Sequence, residues 1–400
     1  MRGLGVLAVM AGHAFRMGTL SFSGVVDLFF VISGALITTL LLQEHRDTGD
    51  VNVRKFYARR LFRLLPGLWV MLGGAALVGI VLKLTDNMGV RTLGGLAKEM
   101  FTSVFYIHNI VYPFNDGPWV DHLWTLSVEE QFYLLIGIVA LIFIVKGRIK
   151  AVTWLLVAMV AYIQITRLFL WAGPLGVVQA AAWNQRPDAL MVGMLVAIAS
   201  AHVPDPIPAK HQRLFAGLAS VSVLVFVFTI FASTGWARSL GVSHDYAPKA
   251  FQDYLRSGER PPGFYWIQWG HTAAAWSSAV VAFCMFRVPT WRPNKALSWK
   301  PLVFVGGALS YPLYLWHIPL QELVHPFLPD GTPLVVWGLI AITVPFVAAY
   351  PSYRFVETKA LVFKDRFSVT GAVKANQAKT NPAKTPPGAT PPGATIESKD

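Results

Sequence analysis

The sequence predicts an all-α fold, a polytopic bundle of about ten transmembrane helices with both termini in the cytoplasm. Apolar residues make up 54% of the 400-residue chain and charged residues only 14%, whereas soluble proteins carry about 25% charged residues. Apolar runs of about twenty residues, the length that crosses a bilayer as a helix, recur along the chain. Lipid offers the backbone no hydrogen bonds, so a helix is the structure expected of each run.

Ten apolar stretches are predicted to span the bilayer, and residues 99–111 form an eleventh that is too short to do so. This eleventh stretch carries His108 and Asn109, and we expect an interfacial or re-entrant helix there. The predicted spans cover residues 4–21, 25–43, 62–83, 127–145, 151–171, 183–201, 213–233, 267–286, 302–321 and 333–352.

The basic residues support this number of spans, because they are concentrated in alternate loops. The loop between the second and third predicted spans is rich in arginine, and the loops on the same side hold many of the remaining basic residues. Loops rich in lysine and arginine stay in the cytoplasm. The pattern therefore predicts that both termini are cytoplasmic.

Composition also excludes several classes of function. The formal charge of +13 reflects orientation and contact with lipid headgroups, so no nucleic-acid partner is expected. The single cysteine, Cys284, rules out an intramolecular disulfide and a cysteine-based metal cluster. We expect no metal and no permanently bound cofactor. Any chemistry must take place within the membrane bundle or at its surfaces.

A polar tail is predicted to follow the apolar region. We assign residues 1–358 to an integral-membrane domain and residues 359–400 to a cytoplasmic tail. After Phe367 the chain consists largely of alanine, lysine, threonine, proline and glycine, with the near-repeat PPGATPPGAT. Such a segment cannot bury a core and is predicted to be disordered.

An intramembrane histidine, His13, is the first candidate for a functional residue. Arg2 precedes it by eleven positions, which is about 16 Å along a helix and almost the same helical face. Ionisable side chains at this depth are costly, and they are functional candidates for that reason. A histidine that only forms a hydrogen bond between packed helices is the structural alternative.

A dense basic segment, RKFYARRLFRLLPG, begins the third predicted span. Arg60 and Arg63 are three residues apart and so share one face of a helix. Guanidinium groups suit phosphates, which favours a nucleotide-bearing ligand such as coenzyme A. The alternative is that these residues only fix the topology.

Two adjacent carboxylates, Glu129 and Glu130, lie in WTLSVEEQFYLL at the start of the fourth predicted span. Both cannot face lipid, so at least one should point into the bundle, where it is available to substrate. Ser127 and Glu130 also have the spacing of a capping box, which is a purely structural explanation.

Three further acidic and basic residues lie near the outer ends of predicted spans. Asp27, in GVVDLFFVISG, either orients a catalytic imidazole or simply lies near the N-terminus of its helix, where a carboxylate is favourable. Arg186 and Asp188, in RPDALMVG, are expected to pair with one another or with neighbouring helices.

The ninth predicted span, containing ALSYPLYLWHIP, carries a polar face. Ser310, Tyr314 and His317 are separated by four and three residues and therefore lie on one side of a helix. Pro312 and Pro319 should free backbone carbonyl groups, which line cavities in membrane proteins.

Taken in order, these motifs closely resemble the signature blocks of the bacterial membrane acyltransferase-3 family. The blocks extend over residues 2–358 and are Arg-x10-His, GVxDLFFVISG, FYARRLFRLLP, LWTLSVEEQFYL, RPDALMVG, LSYPLYLWHIP and YRFVE. The resemblance implies a multi-pass protein of the bacterial inner membrane. It also implies transfer of acyl groups, often acetyl from acetyl-CoA, to hydroxyls of envelope glycans or glycosylated metabolites.

The resemblance assigns roles residue by residue. Arg2 and His13 fall on the family's essential arginine–histidine pair, and Arg60 and Arg63 fall on its Arg-x-x-Arg motif. Members usually have several residues before that arginine, whereas only Met1 precedes Arg2 here. Many members also carry a C-terminal hydrolase-like domain, and this chain resembles the stand-alone form.

The sequence therefore predicts a membrane O-acyltransferase with acyl-CoA as co-substrate and a carbohydrate or glycoside as acceptor. The arginines would hold the coenzyme phosphates, and His13 would act as general base. The remaining assignments are Glu130 to catalysis and Asp27, Arg186, Asp188, Tyr314 and His317 to substrate binding.

A proton-coupled secondary transporter or glycan flippase is the alternative function. Intramembrane histidine, arginine and carboxylate side chains are compatible with such a carrier. Transporters commonly contain two related halves, and no second copy of the Arg–His or VEEQFYL block occurs in the sequence.

Overall fold

The computed structural model describes residues 1–15, 22–89, 91–112, 119–139, 146–169, 185–232 and 266–365. These residues form helices and connecting turns, and no strand occurs among them. The helices are α1 (Arg2–Ala14), α2 (Ser23–Thr48), α3 (Val53–Leu84), α4 (Leu93–Val104), α5 (His108–Val111), α6 (Trp124–Val139), α7 (Ile149–Phe169), α8 (Pro187–His202), α9 (Ala209–Phe231), α10 (Trp266–Arg287), α11 (Pro293–Leu297), α12 (Lys300–Phe304), α13 (Ser310–Val324), α14 (Leu334–Thr343), α15 (Pro345–Pro351) and α16 (Thr358–Asp365).

Five helical stretches in the described part of the chain are long and apolar enough to cross a membrane. The all-helical membrane fold is thus present, while the ten spans and the orientation of the termini stay predictions. The stretches are Ser23–Thr48, Val53–Leu84, Ile149–Phe169, Ala209–Phe231 and Leu334–Phe363.

Several predicted spans differ from the helices that form. Helix α1 ends at Ala14 instead of continuing to residue 21, and residues 16–21 lie outside the described ones. The predicted span over residues 302–321 is interrupted by a π-helical turn at Val305–Leu309. The eleventh stretch, which was predicted not to span, forms parts of two short helices, α4 and α5.

The end of the last helix also differs from the predicted start of the tail. Helix α16 continues to Asp365, into the residues predicted to be tail. Residues 366–400 lie outside the described part of the chain. The predicted disorder of the tail therefore stays a prediction.

Glycine allows a close backbone contact between α2 and α8. A Cβ atom on Gly34 would lie 2.1 Å from the carbonyl oxygen of Leu190, and one on Gly193 would lie 2.2 Å from that of Val31. These distances leave no space for any side chain. Small residues let transmembrane helices approach in this way, so the two glycines fix how α2 and α8 pack.

Two buried apolar clusters flank the region where α1, α2, α3, α6 and α13 converge. The first is built around Phe30, Tyr133 and Leu190 on α2, α6 and α8. The second is built around Met10 and Leu313 on α1 and α13, together with residues of α3. Polar side chains from all five converging helices meet between the clusters, and they form the candidate site.

Candidate active site

A cavity of about 120 Å³ opens between the five converging helices. Three arginines from the predicted coenzyme-binding motifs lie along it, so the structure brings these motifs together from α1 and α3. Its polar lining residues are Arg2, Ser33, Arg60, Arg63, Thr125, Glu129, Tyr133, Ser310, Tyr311 and Tyr314.

Arg60 is held in place by side chains of α6. Its Nε and Nη2 atoms lie 2.7 and 2.6 Å from Oε1 of Glu130, and its Cζ lies 3.2 Å from the ring centroid of Tyr133. Glu129 accepts a hydrogen bond from the Tyr133 hydroxyl and lies 3.4 Å from Arg60. Arg60 is therefore oriented, and largely neutralised, by carboxylates.

The two adjacent glutamates thus have different positions. Glu129 lines the cavity, whereas Glu130 is absent from its lining and is paired with Arg60. Successive residues on a helix point about 100° apart, so only one of them faces the cavity. This geometry places Glu130, which we predicted to be catalytic, as the partner that orients Arg60.

The other two arginines carry the unbalanced positive charge. Among the described residues no acidic side chain is within salt-bridge distance of Arg2 or Arg63, and Arg63 is exposed. Arg2 is positioned by a close backbone contact, because a Cβ on Gly306 would lie 2.8 Å from the nitrogen of Gly3. Gly306 belongs to the π-helical turn before α13, and such turns are frequent at functional sites.

Tyr314 and Thr125 separate the cavity from a group of histidines. Their hydroxyl oxygens are 2.5 Å apart, and Tyr314 donates a 2.6 Å hydrogen bond to the carbonyl oxygen of His122. The Tyr314 ring packs against His122 and His317, with centroid distances of 5.4 and 5.5 Å. The same tyrosine therefore contacts both the cavity and the histidines.

The histidine cluster consists of His13, His122 and His317. The ring of His317 lies 5.2 Å from that of His13 and 4.9 Å from that of His122. His122 and His317 are buried, whereas His13 is exposed and lies in the last turn of α1 rather than midway along a span. Among the described residues no group of histidine, cysteine or acidic side chains is arranged to hold a metal ion.

Backbone carbonyls of α13 fix the tautomers of the two buried histidines. His317 donates from Nδ1 to the carbonyl oxygen of Tyr314 at 2.7 Å, and His122 donates from Nε2 to that of Leu315 at 3.1 Å. Pro319 has no N–H group, so the Leu315 carbonyl four residues earlier lacks a helical donor and can accept this bond.

The remaining ring nitrogens, Nε2 of His317 and Nδ1 of His122, are buried and have no hydrogen-bond partner among the described residues. Since the other nitrogen of each ring carries the proton, both are acceptors. His122 lies ahead of α6, where burial, and then the nearby imidazole of His13, lower its pKa to about 3. Its ring therefore stays neutral near pH 7 and can accept a hydrogen bond from a hydroxyl group.

A second polar cluster, the ionic cluster, contains three of the predicted substrate-binding residues, Asp27, Arg186 and Asp188. Asp27 lies 2.7 Å from Nδ1 of His271 and 3.8 Å from Arg186. Asp188 forms a two-pronged ion pair with Arg167, at 2.6 and 3.3 Å. All five side chains are buried and none lines the cavity, so the structure does not bring these three to the proposed site.

Comparison with known proteins decides the family. The model of the acyltransferase-3 family, described as an acyltransferase domain, matches residues 1–352. The chain belongs to the acyltransferase-3 family. Every motif named above lies within the matched residues except the block YRFVE, which follows them.

Curated relatives of this acyltransferase-3 chain carry names that refer to O-acetylation. A Staphylococcus aureus protein provisionally named an O-acetyltransferase is 30% identical over 379 residues, which is 90% of this chain and 56% of the relative. The peptidoglycan O-acetyltransferase of Listeria monocytogenes is 27% identical over 375 residues, 90% of this chain and 54% of the relative. The chain spans about half the length of these relatives. No solved structure matches it.

Four residues in or beside the two clusters were not assigned a role from the sequence. They are Thr125, His122, Arg167 and His271. The last two lie within apolar predicted spans, where any ionisable side chain is a functional candidate, so that rule would have identified them. His122 lies in the turn before α6 and Thr125 in the first turn of α6, and their contacts with Tyr314 depend on a helix nearly two hundred residues away.

Proposed function

We propose that this acyltransferase-3 chain is a membrane O-acyltransferase that transfers an acetyl group from acetyl-CoA to a hydroxyl of a cell-envelope glycan. The observation that carries the proposal is a cavity with arginines along it and a tyrosine, Tyr314, that also contacts two members of the histidine cluster. Peptidoglycan is the acceptor that the name of the Listeria relative suggests.

The arginines support a phosphate-bearing donor. Arg60 is balanced by Glu129 and Glu130, which leaves Arg2 and Arg63 to attract anions. Arginine binds phosphate oxygens through a planar pair of donors. The cavity of about 120 Å³ is too small for a whole coenzyme. The nucleotide of the coenzyme would therefore lie outside, at the exposed Arg63, and the arm that carries the thioester would enter the cavity.

The histidine cluster supports activation of the acceptor. In the proposed step the acceptor oxygen attacks the thioester carbonyl carbon while His13 removes the hydroxyl proton. The carbon–sulfur bond then breaks, and the coenzyme thiolate takes that proton from the His13 imidazolium. The buried acceptor nitrogens of His122 and His317 would receive hydrogen bonds from further hydroxyls of the glycan or from the imidazolium.

The test is acetyl transfer by the purified protein in detergent, with labelled acetyl-CoA and soluble peptidoglycan fragments. Wild type should acetylate the fragments, and His13→Ala should not. Replacement of the exposed His211 on α9 by alanine controls for loss of a surface histidine. Full transfer by His13→Ala, or proton-driven glycan uptake without acetylation, would overturn the proposal.

A further inference from the structure

A second groove lies outside the acyl-transfer site, between the start of α9 and the chain that follows α10. Its volume is about 540 Å³, within the range of about 300–1,000 Å³ typical of small-molecule sites. It shares no lining residue with the arginine-lined cavity. The groove is therefore a separate candidate binding site.

Small residues of α9 create the groove and an aromatic side chain closes it. Ala209, Ala216 and Gly217 leave space along one side of the helix. Trp291 is buried against the other side and donates from Nε1 to the Ser220 hydroxyl at 3.2 Å. The concave shape thus follows from the size of the residues on α9.

The charge of the groove is positive. Arg213 and Arg292 line it, both are exposed, and neither forms an ion pair among the described residues. Its neutral polar groups bond to one another, as when Thr290 donates to Gln212 at 3.0 Å. No acidic side chain belongs to its lining in the described part of the chain. The group that this lining favours is an anion with two or more acceptor oxygens.

The surface beyond the groove is apolar. Arg213, Gly217, Ser220 and Leu224 are spaced at four, three and four residues and share one face of α9. Leu224 is 69% exposed and lies about 16 Å along the helix from Arg213. The exposed side chains of Val227 and Phe228 follow it. The same face therefore offers cations at one end and an apolar strip along the rest.

We propose that this groove binds the headgroup of an anionic phospholipid, with the acyl chains lying along α9. The phosphodiester would lie between Arg213 and Arg292, against Trp291. A free anion would use only the arginines, whereas a phospholipid uses both the cationic end and the apolar strip. The phospholipid is therefore the ligand that accounts for the whole face.

The test is a titration of delipidated protein in nonionic detergent with dioleoylphosphatidylglycerol, counting bound lipids by native mass spectrometry. We expect wild type to bind this lipid more tightly than dioleoylphosphatidylcholine. Each basic residue near an anionic headgroup contributes about a factor of five in affinity. The double variant Arg213→Gln, Arg292→Gln should therefore bind phosphatidylglycerol about 25-fold more weakly.

A matched control removes two nearby charges without altering the groove. Lys295→Gln with Lys300→Gln changes exposed residues outside the lining and should leave tight binding in place. If the double arginine variant loses its helical circular dichroism, the two single variants are tested instead. Each should bind phosphatidylglycerol about fivefold more weakly than wild type. Equal loss in the lysine control, equal binding of phosphatidylcholine, or displacement by excess inorganic phosphate would overturn the proposal. None of these measurements depends on acyl transfer.

Discussion

The histidine cluster and the ionic cluster are both built from ionisable side chains inside an apolar bundle, yet they differ in how those side chains are satisfied. In the ionic cluster, Arg167 and Asp188 are fully buried and paired at 2.6 Å. In the histidine cluster, His13 is exposed, and one ring nitrogen of His317 has no hydrogen-bond partner in the described part of the chain. The ionic cluster also contains buried atoms without a hydrogen bond among the described residues, Oδ1 of Asp27 and Nε of Arg167, but both belong to side chains with an oppositely charged partner. Ion-paired side chains hold helices together, whereas imidazole acceptors outside any ion pair are available to a substrate. Depth in the membrane alone does not separate these two roles.

The largest expected effect is on stability, from breaking the ion pair in the ionic cluster. Asp188→Ala leaves the Arg167 guanidinium buried without its carboxylate, which costs about 3–5 kcal/mol. Thermal unfolding in detergent, followed by circular dichroism, measures this loss.

Replacement of both partners provides the control. Arg167→Met with Asp188→Leu removes both charges and should recover most of the stability, because well-packed apolar residues replace buried ion pairs at little cost. If Asp188→Ala unfolds like wild type but no longer transfers acetyl groups, the ionic cluster belongs to the reaction and the contrast drawn here is wrong.

The second-largest expected effect is on the affinity of the cavity for the acyl donor, acetyl-CoA. Arg2→Gln removes a cation that has no acidic partner among the described residues, and a hydrogen bond to a charged group is worth about 1.5–3 kcal/mol. We expect the KM for acetyl-CoA to rise about 10- to 100-fold, with a melting temperature close to that of wild type. Arg54→Gln, an exposed arginine at the start of α3, is the matched control. A lower kcat at unchanged KM would contradict the phosphate-binding role.

A smaller effect is expected in the scaffold that positions the ionic cluster. Gly34→Ala would place a Cβ 2.1 Å from the Leu190 carbonyl oxygen, and such overpacking costs about 1–3 kcal/mol. Gly73→Ala, in α3, has no neighbour within 4 Å of its Cβ position and should stabilise the helix by about 0.5–1 kcal/mol. Opposite shifts in thermal unfolding are the expected result, and equal shifts would contradict the packing described for α2 and α8.

Local spacing predicted the parts of the candidate site that depend on one helix. The three-residue separation of Arg60 and Arg63 placed both on one face, and both line the cavity. Pro319 was expected to free a carbonyl group, and the Leu315 carbonyl accepts a hydrogen bond from His122. Motif order identified the family, which the match over residues 1–352 confirms.

Contacts between distant helices could not be predicted in this way. Nothing in the run Glu129–Glu130 indicates which carboxylate lines the cavity and which forms the shorter ion pair with Arg60, because that depends on how α3 packs against α6. The pairing of Asp188 with Arg167 rather than Arg186 likewise depends on the packing of α7 against α8. The end of α1 at Ala14 was also missed, because Phe15, Met17 and Leu20 extend the apolar stretch past it despite Arg16 and Gly18.

One paired measurement tests the central claim, that the histidine cluster serves acyl transfer and the ionic cluster serves the scaffold. His13→Asn and His271→Asn are compared for kcat of acetyl transfer per folded molecule and for thermal unfolding. We expect His13→Asn to lose about 10²–10⁴-fold in kcat, the contribution typical of a general base, and to keep its unfolding temperature. His271→Asn should unfold at a lower temperature while its folded fraction turns over normally. A stable but inactive His271 variant beside an active His13 variant would instead assign acyl transfer to the ionic cluster.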